Sequence, residues 1–568
     1  MAPGCDRRVP RCGVGRARTY VDAWGHQTAT TYDQVGRIVK TVSPVGTQTT
    51  SYDGDGNAGP AVLDGVTLAT PAYDGSGRLR SASYANGTSL DPITRDALGR
   101  ETTQVWRAPG GAVLTSDEVT YSVGGDIIER RVDGQDPNPA GANYTYDAAG
   151  RLLDAWTTSI DAAGAVSAVR DQYGYGPASS ECGPGTISTA GRNTNRTSHT
   201  RTPAGGAAVA RSYCYDAADR PTATTTPGVG AITYDTHGNT TGIWGESRAY
   251  DATDRHLATT NGPAGVTYRR DSTDRIIERR PAGGAPVRYG YTADGDTSDF
   301  TTTETGVVLE RHIGLPGSVL VTINGPSQTW SHANIPGNIA AATDGAGAKQ
   351  GHTRTYDPYG NATGPLVDNS AGDLDYGWLG EHRRPTEHEN GITDTIEMGA
   401  RQYDPTLGRF FQVDPVEGGS ANDYDYCNAD SLNCTDLNGE AALPGRYRCA
   451  GFLGCNLHLN RRYTRRLFSA RDHYRGSRSK AVALICGPFG ITRAMWRRYV
   501  GGSWGCAKTL NKIRGSLIRS IAGAARVGGC LSIRVSGLAA VLRGGRRDKS
   551  KQLSTGVYYA TRRGRNCV

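Results

Sequence analysis

Tyr32-Asp33-Gln34-Val35-Gly36-Arg37-Ile38 returns as Tyr73-Asp74-Gly75-Ser76-Gly77-Arg78-Leu79 and again as Tyr146-Asp147-Ala148-Ala149-Gly150-Arg151-Leu152. A phrase that recurs along a chain marks a repeat architecture, in which each unit is one supersecondary element stacked on its neighbours. Looser copies fill the gaps: Tyr52-Asp53, Tyr215-Asp216 with Asp219-Arg220, Tyr234-Asp235 with Gly238-Asn239, Tyr250-Asp251 with Asp254-Arg255, and Tyr356-Asp357 with Gly360-Asn361. Tyr32, Tyr52 and Tyr73 stand 20 and 21 residues apart, room for two short strands and two turns. The phrase reads as a hairpin. Tyr ends a strand, and the Asp side chain accepts a hydrogen bond from the backbone two residues on. The Gly four places after Tyr takes the left-handed conformation that returns the chain, and Arg-Leu or Arg-Ile restarts the alternation. Where Asn or Asp replaces or follows that Gly, the residues best able to tolerate positive φ after glycine stand in.

Working outward, the 568 residues include 77 Gly but only 6 Phe, too few bulky side chains for several Leu/Phe-rich cores. One large, mainly β repeat body with an appendage is expected. No run of 18 apolar residues is present, so no membrane-spanning helix is expected, and MAPGCDRRVPRCGVGRARTY at the start has no apolar signal-peptide region. Repeats begin at once, at Thr19-Tyr20-Val21-Asp22, so residues 1–19 are expected to be unstructured and the N-terminus truncated from a longer array.

Charge divides the chain. Residues 441–568 hold 27 Lys/Arg against Asp472 and Asp548, a balance of +25, which leaves −17 for residues 1–440 of a chain whose total is +8. An acidic body carries a basic tail, by one reading simply held to it by opposite charge.

The Tyr-Asp-x-x-Gly-Arg-Leu phrase resembles the YD repeats of bacterial RHS proteins and of teneurins over residues 20–355. Residues 356–440 resemble the RHS repeat-associated core. The matching stretches are Tyr356-Asp357-Pro358-Tyr359-Gly360, Tyr376-Gly377-Trp378-Leu379-Gly380, Met398-Gly399-Ala400-Arg401-Gln402-Tyr403-Asp404-Pro405, Leu407-Gly408-Arg409-Phe410-Phe411-Gln412-Val413-Asp414-Pro415, Asn422-Asp423-Tyr424-Asp425-Tyr426 and Asp436-Leu437-Asn438-Gly439. The resemblance implies a β-hairpin shell closed by the core, with self-cleavage just beyond the core by chemistry like that of an aspartyl protease. Two carboxylates held close share a proton because both cannot ionise cheaply, and the pair then works as acid and base. By motif position these are Asp414 and Asp425, with Arg409 as the charge partner that keeps one ionised. On residues alone, Asp414-Pro415 is a turn starter and Asp425 a hydrogen-bonded turn residue. Where the family often ends Asp-Pro-x-Gly-Leu, this chain reads Asp436-Leu437-Asn438-Gly439-Glu440, which puts the expected cut among Glu440, Ala441, Ala442 and Leu443.

In RHS proteins the segment after the core is usually a toxin, a role implied here for residues 441–568. Cys449, Cys455, Cys486, Cys506, Cys530 and Cys567 form an even set, compatible with disulfides in an exported protein or with buried thiols. No Cys-x-x-Cys pair occurs there, and no metal or cofactor is expected. Asp472-His473 and His458 are thin material for acid–base chemistry. If helical, residues 507–527 set Leu510, Ile513, Leu517 and Ile521 opposite Lys508, Lys512, Arg519 and Arg526, a pattern that suits a core helix with a solvated face, the reading favoured by Gly515 and Gly523, or a helix docked on a membrane or partner. Strands are expected around 529–535 and 556–559, so the tail is expected to be a small α+β or helical module. Its charge favours anionic polymers, membranes or nucleic acid.

Two short motifs carry nothing. Gly54-Asp55-Gly56-Asn57-Ala58-Gly59 matches a dinucleotide fingerprint but follows a turn with no helix after it. Asp53-x-Asp55-x-Asn57 lacks the Gly and Glu of a calcium loop, Asp64 standing at the twelfth place. The expected function is a secreted or cell-surface RHS-type toxin fragment that encapsulates its own tail, releases it and meets a cognate immunity protein. The rivals are a non-enzymatic surface protein binding glycans or neighbouring cells, and a degenerate family member.

Overall fold

A computed structural model of the chain describes residues 11–12, 16–364, 374–416 and 421–440, together with strands Leu443–Pro444, Tyr447–Cys449, Gly454–Leu459 and Leu531–Ser536. The chain is mainly β, as expected. Among the described residues the helical elements are three 3-10 turns, Ala190–Asn193, Gly380–His382 and Cys427–Ala429.

Four antiparallel sheets follow one another along the chain. A twelve-stranded sheet runs from Thr19–Val21 to Ile127–Val132, a six-stranded sheet from Tyr144–Tyr146 to Pro221–Thr224, and a thirteen-stranded sheet from Thr233–Tyr234 to Lys349–Gln350. The core segment adds a five-stranded sheet from Leu374–Tyr376 to Arg409–Phe410. Strand order follows chain order throughout, apart from short Thr94–Arg95, which pairs beside Glu101–Arg107. Ahead of the first sheet, within the stretch 1–19 expected to be unstructured, Arg11–Cys12 pairs with Arg16–Ala17, and residues 1–10 and 13–15 lie outside the described residues.

The recurring phrase makes the turns. In the first copy Gly36 donates to Asp33 O at 3.0 Å and sits at φ +88°, a type I turn closed by a left-handed glycine. Asp219 and Asp254 take the same conformation in looser copies, at φ +61° and +64°. Asp33 Oδ1 accepts from the Arg37 backbone N–H at 2.8 Å while Oδ2 takes the Arg37 Nε at 2.6 Å. The same Asp-to-Arg link, four residues on, recurs at Asp74, Asp96, Asp147, Asp216, Asp251 and Asp271. That arginine also reaches the next repeat: Arg37 lies 4.2 Å over the Tyr52 ring, whose hydroxyl donates to Ile38 O at 2.9 Å. Arg100 with Tyr121 and Arg275 with Tyr291 repeat the clamp. Each clamp combines a cation–π contact of about 0.5–1 kcal/mol with a hydrogen bond of about 1 kcal/mol.

The sheets are welded by shared apolar clusters. Tyr84, Leu90 and Trp106 of the first sheet pack with Phe300, Val321 and Trp330 of the third. The core segment enters three further clusters through Tyr359 and Ala429, through Leu407 and Phe411, and through Ile392. It is thus embedded in the repeat body. Buried ion pairs reinforce the seat, Arg279 with Glu387 and Arg270 with Glu397, and buried Arg384 reaches the exposed Asp296.

In the tail, Tyr447–Cys449, Gly454–Leu459 and Leu531–Ser536 form a three-stranded antiparallel sheet, the last matching the strand expected near 529–535. Its register sets Cys449 directly across from Cys455. The helix expected at 507–527, the strand at 556–559, Asp472-His473, Cys486, Cys506, Cys530 and Cys567 lie outside the described residues.

Candidate active site

The centre of the core segment is Arg401, first residue of strand Arg401–Asp404, which follows Thr395–Met398 through the two-residue turn Gly399-Ala400. Its guanidinium lies 3.7 Å over the Phe410 ring and is 1% exposed. One nitrogen, Nη2, donates to Asp414 Oδ2 and to Asp436 Oδ2, both at 3.0 Å. Nη1 donates to Asp423 O at 2.9 Å and Nε to Gly439 O at 2.6 Å. A planar fork of donors suits this task as a lysine ammonium would not. Two carboxylates thus meet on one cation, and the backbone just before the expected cut is held by the same side chain.

Local sequence permits this approach. The Gly399 and Gly439 backbones touch, with Ala400 N–H donating to Asn438 O at 3.1 Å. A Cβ on Gly399 would stand 2.8 Å from Asn438 O, and one on Gly439 2.5 Å from Met398 O. Both glycines have positive φ, +67° and +63°.

Asp414 keeps its turn role as well, Oδ1 accepting from Val416 N–H at 2.9 Å. Asp425 stands apart from that ion pair. Its Oδ2 accepts from the Thr194 hydroxyl, a residue of the second sheet's loop, and its Oδ1 has no hydrogen-bond partner among the described residues. Burial pushes the Asp425 carboxyl up to about 6, while the Thr194 hydroxyl and then Arg409 and Arg401 hold it down and Asp436 adds to the rise. At that value the Asp425 carboxyl can carry a proton near neutral pH.

Arg409 lies across an antiparallel bridge from Asp425, but its guanidinium donates to Asn195 Oδ1 at 2.7 Å and Asp219 O at 2.6 Å. The direct charge partner of Asp414 is Arg401, while Arg409, expected to keep one of the two aspartates ionised, acts through its charge on Asp425 and helps to hold that carboxyl down. The carboxylate that shares the Arg401 cation with Asp414 is Asp436. Arg401 and Asp436 both stand within the core motifs, yet their roles show only once strands 35 residues apart in sequence are brought together.

Between Asp425 and Asp436, Cys427 is bonded to Cys434, with Cα atoms 5.6 Å apart. Cys182 is bonded to Cys214 in the second sheet, so the described disulfides lie in the body. Residues Cys427, Asn428 and Ala429 all have positive φ, 57°, 55° and 60°, a strained run beside the site. Glu440 accepts from Asn438 Nδ2 at 2.8 Å, and Leu443 pairs with Thr435; Ala441 and Ala442 lie outside the described residues. Among the described residues, no three His, Cys, Asp or Glu are grouped so as to hold a metal ion, and no helix is long and apolar enough to cross a membrane.

No protein-family model matches the sequence, and no curated protein matches it. Solved structures do. The Photorhabdus luminescens Tc holotoxin pore with a mutant TccC3 superposes at TM-score 0.57 and 16% identity, over 75% of this chain and 21% of that one. The TcdB2-TccC3 crystal structure gives 0.57 and 17%, over 73% and 22%. TcdB2-TccC3 without its hypervariable C-terminal region gives 0.53 and 16%, over 73% and 21%. The chain spans about a fifth of the length of these structures. Sheet order, embedded core segment and superposition agree: this chain is built on the RHS-type β-shell fold of Tc toxin components.

Proposed function

We propose that this chain is a toxin-type RHS shell segment whose core cuts its own backbone between Glu440 and Leu443 and so frees the basic tail, residues 441–568. The observation that carries the reading is the Arg401 guanidinium, which grips Asp414, Asp436 and the Gly439 carbonyl at once. Such a clamp fixes the chain immediately ahead of the cut beside buried carboxylates. In the proposed chemistry the ionised Asp414 takes a proton from water as its oxygen adds to the scissile carbonyl. Protonated Asp425 gives its proton to the departing amide nitrogen, the C–N bond breaks, and a carboxylate and an amine result. The reading places the protein outside the producing cell, its tail enclosed until release and neutralised in the producer by an immunity protein.

Intact mass under denaturing conditions tests this on the full chain beside Asp414→Asn and Asp425→Asn. The expected result is two fragments from the wild type, with a break between residues 440 and 443, and a single uncut mass from each variant. An uncut wild type sinks the proposal.

A further inference from the structure

We infer that Thr194, on a loop of the shell rather than in the core, is the positioning residue for Asp425, so that the core becomes competent to cut only when seated against residues 193–195. The inference rests on the self-cleavage proposed above and adds a residue 231 positions away from the group it serves.

Thr194 supplies the single hydrogen bond that the Asp425 carboxyl has among the described residues. Its hydroxyl has a second acceptor within reach, Asn193 O at 2.7 Å, and receives the Asn422 Nδ2 at 3.1 Å. This geometry serves Asp425 Oδ2 in both protonation states. When Asp425 is ionised, the Thr194 proton points to Oδ2. When Asp425 is protonated, its own O–H donates to Thr194 Oγ1 and the Thr194 proton turns to Asn193 O. A carboxyl that must alternate between acid and carboxylate is thereby kept in one place without a buried orphan proton in either state.

The loop is built at a cost. Thr194 is β-branched yet sits at φ +64°, a conformation in which such a side chain is strained, and the strain persists only where the surroundings over-determine it. Those surroundings include the core itself: Asn422 Nδ2 donates to Asn193 O at 2.7 Å, and Arg409 to Asn195 Oδ1 at 2.7 Å. From the loop side, Asn193 and Asn195 both hold Asp219, at 2.5 and 2.6 Å. The charged and titratable groups that act on Asp425 are Arg409 across the bridge, Arg401, Asp436 and the Tyr359 phenol, and none of them changes when Thr194 is substituted.

The test uses the full chain made by cell-free translation and chased in buffers from pH 5 to 8, with the cut fraction followed over time. Three variants are compared: Thr194→Val, which keeps shape and loses the hydroxyl; Thr194→Gly, which loses the hydroxyl while relaxing the backbone; and Thr194→Ser, which restores the hydroxyl. Because the hydroxyl stabilises the carboxylate, its loss raises the Asp425 pKa. The alkaline fall of the cutting rate then moves up by about one pH unit in the Val and Gly variants, with a rate loss of about tenfold at the wild-type optimum. Ser recovers both. Val and Gly variants that cut at the wild-type rate with an unmoved profile overturn the inference alone, as does a slowed Val variant whose profile is unmoved and which Ser fails to rescue. An uncut wild type, or an Asp425→Asn chain that still cuts, overturns the parent reading and this one with it.

Discussion

Arg279 and Glu387 meet through two parallel hydrogen bonds of 2.7 Å, with both side chains 1% exposed. Arg279 belongs to the third sheet and Glu387 to the core segment, so this pair fastens one to the other. Arg279→Met leaves the Glu387 carboxylate buried without a cation, at a cost of about 3–5 kcal/mol. Arg279→Met combined with Glu387→Gln, which removes the stranded charge, recovers most of that loss. Urea denaturation of the two chains checks the pair; a single variant with an unchanged midpoint contradicts it.

Arg401→Lys preserves the charge and removes the fork. One ammonium cannot serve Asp414, Asp436, Asp423 O and Gly439 O together. The expected outcome is loss of self-cleavage by about a hundredfold or more, on the scale that misplacement of a reacting group produces. The read-out is fragment yield by intact mass, and a Lys variant cut like the wild type removes Arg401 from the proposed site.

Gly439→Ala and Gly245→Ala separate conformational strain from contact. Both glycines have positive φ, +63° and +74°, but a Cβ on Gly245 meets nothing within 4 Å while one on Gly439 stands 2.5 Å from Met398 O. Gly245→Ala therefore costs about 1 kcal/mol. Gly439→Ala costs more and lowers the cut fraction, because the chain ahead of the cut is lifted off Arg401. Thermal melts and fragment yields of the two proteins give the comparison; equal yields refute it.

Acid should unfold this protein early. Burial pushes His199 down to about 2, helped by Arg196, and pushes His312 and His332 down to about 3; His256, also buried, is held well below its ordinary value. Each folded value lies below the unfolded 6.5, so the unfolded chain binds protons that the folded chain refuses. Their contribution is complete above about pH 6.5 and declines toward pH 3, by about 1.4 kcal/mol per histidine per pH unit. His332→Phe, whose ring site lies 4.8 Å from Trp106 in a tilted arrangement, should flatten the pH slope of the urea midpoint between pH 6.5 and 5 by about a quarter. An identical slope in variant and wild type rules the account out.

The repeating turns were legible because everything that makes them lies within five residues: an Asp to accept, a Gly or Asp to turn left-handed. Asp96 and Asp271 escaped reading because Arg95 and Arg270 stand where Tyr marks the other copies, although their turns close in the same way. The second office of the repeat arginine, over the tyrosine of the following unit, was not readable, since it joins residues of different repeats. At the candidate site Asp414 and Asp425 stood out by motif. Arg401, Asp436 and above all Thr194 did not, because their contacts close distances of 13, 35 and 231 residues that no local pattern encodes. The cysteine count points to the tail, most of whose cysteines lie outside the described residues, while the described bonds join Cys182 to Cys214 and Cys427 to Cys434 in the body.

Strand order that follows chain order has a further consequence, for how such a wall can change in size. Because strands, short Thr94–Arg95 apart, pair only with their neighbours in the chain, and each arginine clamp reaches only one unit ahead, a hairpin pair inserted or deleted in an outlying stretch re-registers nothing else. Stability then grows by increments, and the wall tolerates growth. That freedom ends at Thr194, Asp219 and Gly238, where Asp425, Arg409 and Tyr424 are docked. These positions are the fixed gauge points against which an otherwise extensible ribbon has to be measured.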